Sequence, residues 1–392
     1  VQRLSVINLY YVLSNYLENL RDHQKGQELD ELLLTVLNEL PLTELADSLK
    51  EDWAYILVSM ANRQVRLHRL EAAKDLYQRS LEIVESSALD KEACYTLQAQ
   101  NYHGLGIIAQ AQRKWEQAEQ HFQQALEIHV EFNNLDEQAS VYHHLGIIAQ
   151  AQRKWEQAEQ YFQQALEIKI ELNDRYKQAN THHQLGIVAQ EQRKWEQAEQ
   201  YFQQALEIKI EFNNLNEQAT TYHQLGALAQ DQRKWEQAEQ YYQQALKIKI
   251  ELNERYEQAD TYHQLGVLAQ EQRKWEQAEQ YYQQALEIFV EFNERYRQAS
   301  VYHNLGMVAY EQRKWEQAEK YLLEALRIFE GYNDPETAGM VLGGLVRLWL
   351  ERKDVGLLEQ VASIVGMTPE EIEDLFQKAT ESSPDQSEGT GA

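Results

Sequence analysis

Six histidines recur at a fixed 40-residue spacing: His103, His143, His183, His223, His263 and His303. A glutamine follows seven residues after each of the first five, at Gln110, Gln150, Gln190, Gln230 and Gln270, and Tyr310 takes that place in the sixth. Imidazole titrates near neutrality and is a common metal ligand. Such a row is open to three readings. The rings bond their neighbours in a stack and bind nothing; they meet a peptide through many weak, neutral hydrogen bonds; or they hold a metal. The metal reading fits worst. Zinc needs three or four donors about 2.0–2.3 Å from one ion, whereas packed helices lie about 8–10 Å apart. One histidine per repeat therefore converges poorly, and neighbours such as His143-His144 and His182-His183 do not easily face one point. Neither a metal nor a cofactor is expected.

Other chemistry is thinly represented. The sequence holds no Gly-rich phosphate loop, no HExxH and no nucleophile elbow, so no catalytic residues are assigned and the chain reads as a non-enzyme. The single cysteine, Cys94, excludes a disulfide framework and suits a small apolar role. With 63 Asp and Glu against 37 Lys and Arg, the net charge is −26, which repels nucleic-acid phosphates. No apolar run reaches the ~18 residues a membrane span needs. A cytoplasmic protein with neither nucleic acid nor membrane among its partners is expected.

The elements that position the row repeat with it. The run RKWEQAE begins at Arg113, Arg153, Arg193, Arg233, Arg273 and Arg313, with neither insertion nor deletion between copies. Each copy reads as two helices. In residues 140–152, Tyr142, Leu145, Ile148 and Ala149 form one apolar stripe. The second helix starts at Trp155 and carries Ala158, Phe162, Ala165, Leu166 and Ile168 before Asn173-Asp174 breaks it. About 16 and 18 residues are expected for the two. Neither helix buries its stripe alone; stacked pairs do. Gly106, Gly146, Gly186, Gly226, Gly266 and Gly306 sit inside the first helices, where glycine costs up to about 1 kcal/mol relative to alanine. Close approach of the partner helix explains that cost. Trp115, Trp155, Trp195, Trp235, Trp275 and Trp315 open the second helices and read as structural covers of the turn.

An aromatic, Leu-Gly, a second aromatic and spaced alanines (here Tyr142, Leu145-Gly146, Trp155, Ala158, Phe162 and Ala165) resemble the tetratricopeptide repeat (TPR). The 40-residue period exceeds the family's usual one and resembles the longer repeats of kinesin light chains, and still more the arrays of filamentous bacteria, cyanobacteria especially. Extra residues in a longer second helix and loop are expected, with Asn133-Asn134 and equivalents where the family has proline. The resemblance implies an all-α fold: a right-handed superhelical solenoid of antiparallel helix pairs with degenerate capping units. It implies that the first helices line a concave groove, so the histidine, glutamine and Tyr310 positions become candidate peptide contacts. The Lys, Asn and Arg clamp of chaperone-tail adaptors is absent, since His143-His144, Ile147 and Ala151 occupy those positions. The lysines on the second helices, Lys169, Lys209, Lys247 and Lys249, read as solvated surface.

The ends depart from the pattern. Residues 1–52 read as a helical region and a junction to an upstream domain, with helices expected around Ile7–Leu20 and Leu29–Leu37. Residues 53–98 hold a worn first repeat with a longer connection around Ser86-Ser87-Ala88. Residues 99–334 hold the six regular units, 335–380 degenerate cap helices, and 381–392 a disordered tail. Thr368-Pro369-Glu370-Glu371 reads as a helix start. By resemblance, the function is a protein- or peptide-binding module, the sensor or interaction region of a larger bacterial signalling protein that receives a ligand or restrains a domain of its own parent chain. A stand-alone scaffold or self-associating protein is the alternative. Small-angle scattering is expected to show an elongated particle; a radius of gyration near the ~21 Å of a compact globule of this length would overturn the array.

Overall fold

The computed structural model describes residues 23–38 and 47–381. The helix expected around Ile7–Leu20 and the tail beyond Glu381 lie outside them. Among the described residues every regular element is a helix. The chain divides into two compact units, Val1–Ala205 and Leu206–Ala392, and each is taken by itself.

In the first unit, α1 (His23–Asn38), α2 (Asp47–Arg66) and α3 (Leu70–Glu85) precede the regular hairpins. These are α4 (Lys91–Ala111) with α5 (Trp115–Glu131), α6 (Leu135–Ala151) with α7 (Trp155–Glu171), and α8 (Arg175–Glu191) with α9 (Trp195–Glu211), whose last turn falls in the second unit. That unit continues with α10 (Leu215–Asp231) and α11 (Trp235–Glu251), α12 (Arg255–Glu271) and α13 (Trp275–Glu291), and α14 (Arg295–Glu311) and α15 (Trp315–Gly331). It ends in α16 (Pro335–Arg352), α17 (Val355–Val365) and α18 (Pro369–Glu381).

The period follows from how the helices stop. Arg153 adopts φ 58° and its N–H bonds the Gln150 carbonyl at 2.9 Å, while the Lys154 N–H bonds the Ala149 carbonyl at 2.8 Å. This left-handed closure satisfies the orphan carbonyls of the helix end within two residues. Asn173 (φ 53°) and Asp174 close the next helix in the same way. The residue that ends each closure also begins the following helix. The Asp174 carboxylate accepts from the Lys177 N–H at 3.0 Å and caps α8. Two 17-residue helices and two three-residue turns thus make the 40-residue repeat. Against the expected lengths of about 16 and 18 residues both helices have 17, the first starting before its apolar stripe.

Between paired helices the glycine is required by contact. A Cβ on Gly146 would lie 2.6 Å from the Phe162 ring, and one on Gly186 2.7 Å from Phe202. In the second unit, Gly226 and Gly266 stand under Tyr242 and Tyr282, at 2.8 and 2.6 Å. Phe162 shares one buried cluster with Leu185 and Val188 of the following first helix, so the cluster joins two repeats. Ala158 and Ala165 are fully buried, which lets the second helix approach both neighbours. Trp155 stands at the first position of α7, half-buried against the same cluster, and Trp115, Trp235, Trp275 and Trp315 sit likewise.

The worn first repeat packs as α2 and α3, with Leu70 at the tryptophan place and Ala73, Tyr77 and Ser80 buried. The extra residues before the next repeat lie only partly in the connection. The rest lengthen α4 to 21 residues, capped by Asp90. α1 is pinned by the buried pair Arg63–Asp30 at 2.5 Å, and Arg63 also donates to the Gly26 carbonyl at 2.8 Å. At the far end, Thr368 and Glu371 form a reciprocal cap. The Glu371 N–H bonds Thr368 Oγ1 at 3.2 Å and the Thr368 N–H bonds the Glu371 carboxylate at 2.8 Å. Replacing Gly186→Leu is expected to destabilise the chain by about 1–3 kcal/mol through overpacking against Phe202; an unchanged melting temperature would refute the contact's role.

Candidate functional site

The first helices carry the whole histidine row. Each ring packs across its hairpin onto the aromatic of the second helix. In the first unit the centroid separations are 5.5 Å for His103–Phe122, 5.4 Å for His143–Phe162 and 5.5 Å for His183–Phe202. In the second they are 5.2 Å for His223–Tyr242 and 5.6 Å for His263–Tyr282. In the repeat of His303 the aromatic is replaced by Leu322. The row is not a chain of hydrogen bonds. Nδ1 of His143, His223 and His303 finds no partner, while His263 Nε2 accepts from Asn304 Nδ2 at 2.9 Å.

Burial lowers the pKa of His103, His143, His223, His263 and His303. It lowers His103, His143 and His223 to about 4, with small added effects of His129, Lys169 and Lys249 respectively. His263 and His303 move the same way for the same reason. Two further histidines join them. His144 lies flat on Phe122 at 4.9 Å and is lowered to about 3, and His182 is lowered to about 4, both chiefly by burial.

The glutamines bridge helices. Gln110 Oε1 meets His144 Nδ1 at 3.0 Å in the first unit, where Gln150 is half-buried. In the second unit Gln230 and Gln270 accept the hydroxyls of Tyr242 and Tyr282 at 3.0 and 2.8 Å. Tyr310, in the sixth copy, packs on Trp315 instead, at 5.4 Å. Ile147 and Ile187 in the first unit, and Val267 and Met307 in the second, are half-buried beside them. The next position along is exposed: Asp231, Glu271 and Glu311 make an acidic row in the second unit. On the first helices the acidic positions are therefore exposed, while the apolar, glutamine and histidine positions are half-buried.

Some lysines read as solvated surface are internal. Lys169 and Lys209 are 5% and 3% exposed and Lys249 is half-buried; only Lys247 is exposed. Their ammonium groups donate to Thr181, Thr221 and Thr261 Oγ1 at 2.7, 3.0 and 2.9 Å, across the turn to the next first helix. Burial lowers Lys169 to about 8 and depresses the other two. A second tie runs beside each. Gln138, Gln178, Gln218, Gln258 and Gln298 donate to the carbonyls of His129, Lys169, Lys209, Lys249 and Phe289 at 2.9–3.2 Å. The repeats themselves hold the signal that reveals the lysines. Lys is always matched by Thr twelve residues on, whereas His129, Phe289 and Phe329 are matched by Val141, Val301 and Val341. Cys94 is half-buried against apolar neighbours and its thiol is pushed up by burial, so nothing activates it.

Residues 54–130, 95–171, 137–211, 177–251, 217–291 and 257–331 each match the tetratricopeptide repeat family. The chain belongs to that family. No curated protein matches it significantly. Among solved structures it is similar to BtubC (BKLC) from P. vanneervenii, 22% identical over 57% of this chain and 92% of that one, with a TM-score of 0.51. A Rap protein complexed with competence and sporulation factor is 17% identical over 92% and 99%, with a TM-score of 0.51. A signal transduction ATPase with numerous domains and a tetratricopeptide repeat sensor, from Pyrococcus horikoshii, is 17% identical with a TM-score of 0.63; 92% of this chain aligns with 54% of that one. These likenesses show the fold. No helix among the described residues is long and apolar enough to cross a membrane.

The buried histidines give stability a defined pH dependence. Above pH 6.5 the folded and unfolded chains both hold neutral rings. As pH falls from 6.5 towards about 4, the unfolded chain takes up protons that the folded chain refuses, so stability declines through that window. The double variant His144→Gln, His182→Tyr, which copies the residues of neighbouring repeats, is expected to flatten the decline seen in urea unfolding. An unaltered slope would show that these rings protonate freely in the fold.

Proposed function

We propose that the chain is a non-catalytic recognition module that takes a cationic peptide or protein segment along its first-helix face, within a larger signalling protein. The observation that carries this reading is the acidic row Asp231, Glu271 and Glu311, exposed beside the half-buried Val267, Met307 and Gln270. Apolar side chains supply contact area, amides supply neutral hydrogen bonds, and the carboxylates attract basic side chains and disfavour acidic ones. The net charge of −26 adds long-range attraction for the same class of partner. The histidines, packed on the second-helix aromatics, support this face rather than carry the charge recognition. Structural relatives that carry a sensor, or are complexed with a factor, favour a signalling context.

Peptides selected on the chain from a random phage-displayed library are expected to be rich in Lys and Arg. Their binding, read by fluorescence anisotropy, should collapse in the triple variant Asp231→Lys, Glu271→Lys, Glu311→Lys and weaken with added salt. Equal binding by a variant with unchanged helicity would remove this face from the site.

A further inference from the structure

The geometry points to a divalent transition-metal site of two imidazoles and a carboxylate, formed by His103 on α4, His129 on α5 and Glu137 on α6. One ligand atom from each lies within 4.8 Å of the others. His103 Nδ1 is 3.8 Å from Glu137 Oε2. His129 is 93% withdrawn from solvent (7% exposed), and its Nε2 is buried with no hydrogen-bond partner. All three line a cleft of about 640 Å³ in the first unit.

The other repeats show what this place is built to hold. The position of His129 is Lys169, Lys209 and Lys249 in the next three repeats. There an ammonium, buried in Lys169 and Lys209 and half-buried in Lys249, bonds a threonine of the following first helix, and Lys209 also pairs with Glu217, the counterpart of Glu137, at 3.7 Å. In the repeat of His129 the threonine is Val141, so the imidazole has no hydroxyl to meet. The Glu137 carboxylate lies beside two imidazoles where its counterpart Glu217 lies beside the Lys209 ammonium. A bound dication supplies that positive charge and gives the unpartnered His129 Nε2 a bond to make. Neutral imidazole with carboxylate selects zinc-like ions over calcium or magnesium. Three protein ligands leave one position open to the cleft. The site differs from the histidine row considered from sequence, because only one member of that row takes part.

The test is titration of the full, tag-free chain with Zn²⁺ by calorimetry and with Co²⁺ by visible absorption. One ion per chain is expected, with the d–d bands of a low-coordinate cobalt site. Glu137→Gln should weaken binding at least about tenfold. The pair His129→Lys, Val141→Thr writes the neighbouring repeats' arrangement into this one; it should fold normally by circular dichroism and lose the site. His263→Gln, on another repeat, should bind as the wild type does. Failure to bind either ion would overturn the proposal. So would binding that survives Glu137→Gln and the His129→Lys, Val141→Thr pair, or a stoichiometry above one that falls with His263→Gln.

Discussion

The seating of one aromatic ring over one glycine sets the spacing on which the remaining contacts depend. Phe162 occupies the space a Cβ on Gly146 would need, and it lies in one buried cluster with Leu185 and Val188 of the next repeat. The two helices of a hairpin therefore approach closely, and the following hairpin has a flat apolar surface to stack on. Dispersion at such short range falls quickly when a gap opens. The fully buried Ala158 and Ala165 belong to the same constraint. Glycine within a helix is costly in isolation, and its presence at this place in all six regular repeats shows that packing outweighs propensity.

Regular stacking creates a recurring polar problem at the end of each second helix. Its terminal carbonyls and one inward side chain meet the start of the next first helix. The glutamines at Gln138, Gln178, Gln218, Gln258 and Gln298 satisfy a carbonyl each time. The inward side chain is solved in three ways: lysine with threonine, phenylalanine with valine, and histidine with valine. The first two are closed solutions, since an ammonium finds acceptors and a phenyl ring needs none. Histidine with valine leaves a polar atom over, and a buried unpaired polar atom is the feature that most needs an explanation.

The same stacking separates what supports the first-helix face from what a partner would meet. Histidine rings pack on the second-helix aromatics, while the carboxylates of Asp231, Glu271 and Glu311 stay exposed. Changes confined to exposed positions can therefore alter recognition while the aromatic and glycine contacts stay as they are.

Much of this was legible in the sequence. A fixed period with its Leu-Gly pair, tryptophan and spaced alanines determined the helix pairs, the small residues at the close contact and the cap at Thr368, because local spacing fixes which residues share a helix face. The paired helices were expected at about 16 and 18 residues and have 17 each, since the first helix starts before the apolar stripe that the spacing reveals. Tertiary structure decided which polar residues lie inside. Lys247 and Lys249 are two residues apart on one helix, yet one is exposed and the other turns inward to Thr261. His103, His129 and Glu137 come from three different helices. Their convergence depends on where the end of one helix meets the start of the next, a geometry set by packing rather than by spacing along the chain.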